Sequence, residues 1–370
     1  MSKAAELAKA GETLTNQPSG RKNIVTNGAM QVAQRSASET GLGAATGYFT
    51  LDRWSMREGA ASAGRFTMAQ VADGPSGFAK CLKLTTTTAD TSIAAGEFLF
   101  LSQRFEGQDL QQLKKGTSDA ESVTVSFYVK GNAAATYVCE LSDADNDRSI
   151  TQAFTVTTDW VKKTLTFPSD TTGALNDDNA LSLQLIFWLH GGSTYTSGTF
   201  SDNTWTSETS ANRYAGSRTS IFDATSRTFF ITGVQMEIGS QATPFEHRSF
   251  GEELALCQRY YYRHADHSEN SANSTIGIGF YYSSSVMMVD VKFRQSMRTS
   301  TPTLEFASGS NYYILQRDGA TDGVNDFVIG ARGTNGCKIE NADEASGTAG
   351  KAGVMMTDND DAYIAFDAEL

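Results

Sequence analysis

Short runs in which apolar and polar residues alternate recur along most of this chain. Val123-Thr-Val-Ser-Phe-Tyr-Val129 and the run 162–167, closed by Pro168, both place apolar side chains at every second position. That period of two belongs to a strand with one wet face. Comparable runs occupy 65–71, 80–86, 96–105, 135–141, 150–156, 161–167, 181–190 and 228–238. Gly, Asn, Asp and Ser clusters separate them, as turns require. Residues 23–30 predict an edge strand followed by an Asn27-Gly28 turn.

Helical spacing appears in three places. Residues 108–115 set Leu110 and Leu113 one turn apart before Gly116, a turn or two of helix. Residues 1–10 place Ala4, Leu7 and Ala8 on one stripe, a short helix that needs a docking partner and reads equally as a frayed end or a particle anchor. Ser249-Phe-Gly-Glu252 has the form of a capping box. Beyond it Leu254, Cys257 and Tyr261 share a face, with Leu256 and Tyr260 alongside. This spacing predicts a helix carrying Tyr260, Tyr261 and Tyr262 to a domain or subunit interface.

After a polar break at 268–274 the strand pattern resumes at 276–282, 286–293, 303–306, 312–316, 326–329, 338–340, 354–356 and 363–366. The chain is therefore predicted to be all-β: a jelly-roll β-sandwich, a short linking helix, and a second, smaller β-sandwich. The expected divisions are 1–22 for an anchoring arm and linker, 23–248, 249–267 and 268–370. A length of 370 residues suits two cores better than one.

Composition narrows the setting. A net charge of −12 argues against a nucleic-acid partner, which needs clustered Lys and Arg. The most apolar run, 181–189, is too short for a bilayer, and residues 1–12 lack the apolar segment of a signal peptide. Synthesis in a cytoplasm is the expectation. Cys81, Cys139, Cys257 and Cys337 lie too far apart for a zinc motif, and buried free thiols are expected.

Candidate chemistry is sparse. Tyr195, Trp205 and Tyr214 stand in the Ser/Thr/Gly-rich stretch 193–217. They either tuck onto the sandwich or form an aromatic lid for a sugar ring. Asp143, Asp145 and Asp147 alternate as in a calcium loop, but Arg148 and Phe154 stand where glycine and glutamate belong, so a hairpin turn is the simpler reading. His264-x-x-His267 has no evident third ligand. No G-x-S-x-G or phosphate loop occurs, and no catalytic constellation is discernible. No cofactor is expected, calcium apart.

Several segments together resemble appendage and tail-fibre-like proteins of tailed bacteriophages, marine ones in particular. They are Asn27-Gly-Ala-Met-Gln31, Gln34-Arg35, Leu51-Asp-Arg-Trp54, Val125-Ser-Phe-Tyr-Val-Lys130 and Ile231-Thr-Gly-Val-Gln-Met-Glu-Ile-Gly239. Ala242-Thr-Pro-Phe-Glu246 and Glu253-Leu-Ala-Leu-Cys-Gln-Arg-Tyr-Tyr261 complete the set. The interior strand pattern also looks like a carbohydrate-binding jelly roll. This resemblance implies a virion protein and transfers no sugar-binding site; the leading expectation is a non-enzymatic tail-fibre or receptor-binding component, a homotrimer that contacts other virion proteins and host-surface glycan. A capsid decoration or head-fibre protein held by its N-terminal arm is the alternative, and a polysaccharide-degrading enzyme a third.

Overall fold

The computed structural model describes Lys3 and residues 21–60, 62–268 and 273–370. The expected anchor residues Ala4, Leu7 and Ala8 lie outside the described residues. The first half contributes β1 (Ser38–Leu42), β2 (Ser55–Gly59), β3 (Arg65–Val71), β4 (Cys81–Thr88), β5 (Phe98–Glu106) and β6 (Val123–Gly131). It continues with β7 (Ala135–Asp143), β8 (Arg148–Val156), β9 (Val161–Phe167), β10 (Leu181–Gly191), β11 (Thr206–Ser207) and β12 (Thr228–Ile238). They form two antiparallel six-stranded sheets, ordered β1-β3-β4-β12-β6-β9 and β11-β8-β7-β10-β5-β2.

Strand β10 shows why the sheets stack. It is apolar on both faces, and each face is covered. Phe187 points between the sheets onto Phe127, with ring centroids 5.0 Å apart and edge to face. Trp188 points the other way and meets Tyr195 at 5.3 Å and Tyr214 at 5.9 Å. Those rings come from the segment after β10, which holds α1 (Ser193–Thr196). Burying such rings removes 150–250 Å² of carbon each from water, roughly 4–6 kcal/mol of gross burial per ring before entropy is counted.

A capped helix, α2 (Phe250–Gln258), leads out of the first sandwich. Its start is as predicted: the Glu252 amide donates to Ser249 Oγ at 3.3 Å, and the Ser249 amide donates to Glu252 Oε2 at 2.9 Å. Its end is not. The helix stops at Gln258, and Tyr261 and Tyr262 begin β13 (Tyr261–Asp266). A run of β-favouring tyrosines pairs with a strand rather than prolonging a short helix.

The second half adds β14 (Thr275–Tyr281), β15 (Met287–Lys292), β16 (Thr303–Phe306), β17 (Tyr313–Arg317) and β18 (Ala320–Val324). It ends with β19 (Val328–Gly333), β20 (Gly336–Asn341), β21 (Ala352–Thr357) and β22 (Tyr363–Asp367). A three-stranded sheet, β13-β22-β16, packs on a seven-stranded one, β18-β17-β21-β14-β15-β20-β19. Tyr262 and Phe366 from the first, and Val289, Leu315 and Met355 from the second, share one buried cluster. The fold is all-β: a jelly-roll sandwich followed by a smaller one.

Residues 23–30 meet expectation in part: the Asn27-Gly28 turn is there, closed by the Met30 amide on the Asn27 carbonyl at 3.1 Å, but the strand before it is not. They form no regular strand, although Ile24 donates to the Met236 carbonyl and Gly28 accepts from Val234. Asn27 is fully buried with φ +57° and acts as a hub. Its side-chain amide donates to the carbonyls of Val32 and Asp52, and its Oδ1 accepts from the amides of Gln31 and Val32. Gly28 is required there, because a Cβ would lie 2.1 Å from the Val234 carbonyl oxygen.

Candidate functional site between the two domains

Arginines of the first sandwich reach carboxylates near residue 367 of the second. Arg53 is buried with φ +71°, ion-paired to Glu369, and stacked 3.4 Å from the centroid of Tyr260. A buried non-glycine residue in the left-handed region persists only when its partners over-determine it. The Arg104 carbonyl accepts from Arg53 Nη2 at 2.6 Å, which supplies one more constraint. Arg35 pairs with Asp367 at 2.8 Å and covers Tyr261 at 3.6 Å. Arg259 and the Tyr260 hydroxyl both donate to Glu106. Burial alone would raise the Glu106 carboxyl, but those hydrogen bonds outweigh it and hold it below the usual range.

The predicted interface residues thus divide. Cys257, Tyr260 and Tyr261 are buried at the junction within one chain, Tyr262 enters the second core, and Leu254 is half-buried on α2. None of the three tyrosines is left open to a neighbouring subunit.

Beside this junction lies a cleft of about 650 Å³. Gly47, Tyr48 and Phe49 form one wall, while β13, β22, Glu305 of β16 and the Asp360-Asp361 turn form the other. Arg263 lies 4.1 Å from the Tyr363 centroid and pairs with Asp266. Phe49 and Tyr363 are half-exposed. Burial, reinforced by neighbouring Asp367, pushes the Glu305 carboxyl up, while Arg35 and Tyr261 pull the other way. The lining holds six carboxylates, from Glu39, Asp266, Glu305, Asp360, Asp361 and Asp367, against the two guanidiniums of Arg35 and Arg263. It presents hydrogen-bond donors and acceptors beside aromatic rings, the equipment for a hydroxyl-rich ligand.

Sequence reasoning reached only Tyr261 of this lining. Tyr48, Phe49, Glu305 and Tyr363 come from four separate segments, and nothing in their local spacing links them.

The other candidates are placed elsewhere. Tyr214 is 2% exposed, and its hydroxyl donates to the Thr219 carbonyl at 2.6 Å. Tyr195 packs edge to face on Phe98 at 5.1 Å. Trp205 donates to the Pro168 carbonyl at 2.9 Å, with the Lys115 ammonium 5.2 Å from its ring. The trio tucks onto the sandwich and forms no open platform.

Asp143, Asp145 and Asp147 fall in the β7–β8 turn without converging. Asp143 is buried against the Lys115 ammonium, which also touches Asp170 at 3.0 Å and the carbonyls of Thr172 and Gly173. Asp145 accepts from Asn176, and Asp147 takes a left-handed turn position at φ +50°. The chain's own ammonium thus fills the centre of a cage of oxygens. Among the described residues no group of three or more His, Cys, Asp or Glu could hold a metal. His264 bonds the Ile276 carbonyl at 2.6 Å, whereas His267 faces Asp360 at 3.3 Å, so the two do not converge.

One constellation was invisible in the sequence. His190 lies between Ser220 Oγ, 2.8 Å from Nδ1, and Glu97, 3.2 Å from Nε2. These are the residue types of a serine-hydrolase triad, but the imidazole is fully buried and does not line the cleft. Ser220 Oγ also accepts from the Phe222 amide at 2.9 Å, as in a local turn. The network pins the stretch after Tyr214 onto β10. All four cysteines are free and buried. Among the described residues no helix is long and apolar enough to cross a membrane.

Two sandwiches, a capped linking helix and a polar cleft beside the junction define an all-β, two-domain protein with a jelly-roll first half. No protein-family model matches the chain, and no curated protein does. Among solved structures, one described as CBM4 structure and function is 15% identical with a TM-score of 0.31, covering 58% of this chain and 99% of that one. The enzymatically active domain of bacteriophage CBA120 tailspike protein 4 is 12% identical with a TM-score of 0.32, over 58% of this chain and 21% of that one. A family 11 carbohydrate-binding module of a Clostridium thermocellum cellulase is 9% identical with a TM-score of 0.27, over 57% and 99%.

Proposed function

We propose that this chain is a non-enzymatic structural protein of a tailed-bacteriophage virion, a homotrimeric tail-fibre or receptor-binding component whose inter-domain cleft holds host-surface glycan. The observation that carries the glycan reading is the lining of the cleft. Half-exposed Phe49, packed on the first core, and Tyr363, with Arg263 over one face of its ring, offer their remaining aromatic surface to the C–H face of a pyranose, and the carboxylates and Ser268 offer hydrogen bonds to its hydroxyls. The excess of carboxylates favours a neutral glycan over a uronic or sialic one.

The non-enzymatic reading is supported by the commitments of Asp266 and Asp367, each held in an ion pair with an arginine rather than free in the cleft. The virion assignment is supported by the run of segments from Asn27 to Tyr261 that resembles phage appendage proteins. Residues 1–22 are assigned to attachment on other virion proteins, with assembly in the host cytoplasm.

The test is a glycan array probed with the purified full chain and its Tyr363→Ala variant. The wild-type protein is expected to bind neutral glycans, and the variant about tenfold more weakly, the loss of one stacking contact of roughly 1–1.5 kcal/mol. No binding by the wild type, or equal binding by both, overturns the reading.

A further inference from the structure

Strand β14, at the centre of the seven-stranded sheet of the second domain, is apolar on both faces, and among the described residues only one of them is covered. Tyr281, Met287, Val289, Leu315 and Met355 point inward into the second core. The opposite face carries Ile278, Phe280, Tyr282 and Val328, which are 64%, 39%, 68% and 58% exposed. Strand register extends this face across the neighbouring strands, with Glu340 standing between Met288 and Val328. Ile278 lies opposite Val354, and Phe280 lies between Ala352 and Met288. Met288 in turn lies opposite Glu340, which is opposite Val328 on the next strand.

Strand β14 therefore reads as a strand covered on both sides, unlike a half-wet antiparallel strand with a polar outer row. The inter-domain cleft does not open on it. The charged residues beside it on β15 and β20 satisfy one another: Lys338 pairs with Glu340 at 2.7 Å, and Lys292 with Asp290 at 3.1 Å. Two chains that each carry a net charge of −12 can approach there without bringing unpaired like charges together.

We infer that this face, around Ile278, Phe280 and Tyr282, packs against a second copy of the same chain. The four exposed side chains leave on the order of 400 Å² of carbon open, taking roughly 200 Å² for each bare large side chain. A standard interface buries about 800 Å² per partner, of which roughly 60% is apolar, so this patch nearly supplies the apolar part. In a ring of three copies the face meets a different surface of the neighbouring chain, so each copy uses it once. The inference rests on the several-copy part of the reading above and relocates the contact from the tyrosines, which are spent inside the chain.

The experiment is sedimentation equilibrium of the full chain over a concentration series, beside Ile278→Lys and Phe280→Glu variants whose folding is checked by circular dichroism. The wild type is expected at a multiple of the single-chain mass, and each folded variant at the single-chain mass. A wild type that stays at single-chain mass throughout overturns the inference without need of any variant. So does an undiminished mass in a folded variant. Glycan binding measured on the same samples separates the two proposals: a single-chain wild type that still binds glycan sinks this contact and leaves the cleft standing.

Discussion

Lys115 carries its ammonium into the first sandwich, where two carboxylates and two carbonyls surround it. Removing one partner of such a buried group leaves the others uncompensated, which costs about 3–5 kcal/mol. Lys115→Met, which keeps the stem but not the charge, is expected to lower stability by that amount in urea denaturation. Asp52 makes the opposite case. Burial pushes its carboxyl up to about 6, against the pull of Arg35 and Gln34. Its protonated form is the one the fold favours. Its contribution is therefore most favourable below the unfolded value near 4 and is lost as pH rises through 6. The stability of the wild type relative to Asp52→Asn should accordingly increase by up to about 3 kcal/mol between pH 7 and pH 4. Carboxylates held low, such as Glu106, weaken both proteins equally as the pH falls, and they cancel in the difference. A flat difference across that range would show that burial does not govern Asp52.

At the scale of elements, alternation made the strands legible, because a buried face imposes its period on the residues themselves. Most runs from 65–71 to 363–366 correspond to strands of the fold, and the capping box marked the start of α2. The tyrosine run was misread because Leu254, Cys257 and Tyr261 satisfy helical spacing as well. What decides the matter is that Tyr261 pairs with Asp367, a partner too distant in sequence for any local pattern to register. The edge strand expected before Asn27 is absent for a related reason, although the turn itself is there. Asn27 resembles a solvent-exposed turn residue, yet its amide is consumed by the carbonyls of Val32 and Asp52. The cleft was illegible altogether except for Tyr261, since β-rich folds assemble surfaces from segments that carry no mutual signal. The exposed face of β14 was in plain view as Ile276-Gly-Ile-Gly-Phe-Tyr-Tyr282. It reads as an ordinary strand until the inner face is known.

For the whole molecule, the pairing of Arg35 and Arg53 with Asp367 and Glu369 makes each half depend on the other. Glu369→Ala removes the partner of Arg53 and a second carboxylate 3.6 Å from Arg35, leaving buried guanidinium charge uncompensated. Scanning calorimetry should then show one cooperative transition resolving into two, with the weakened junction lowering overall stability by about 3–5 kcal/mol. A single transition at the wild-type temperature would mean that the halves are joined by other contacts. The same pairing has a consequence in time. Arg53 and Glu369 are 316 positions apart. At 5–20 residues per second a ribosome needs roughly 15–60 s to travel between them. Throughout that interval Arg53 has the Arg104 carbonyl but lacks its carboxylate, so the junction between the halves cannot close as the jelly roll emerges. That closure waits for a carboxylate that has yet to be translated.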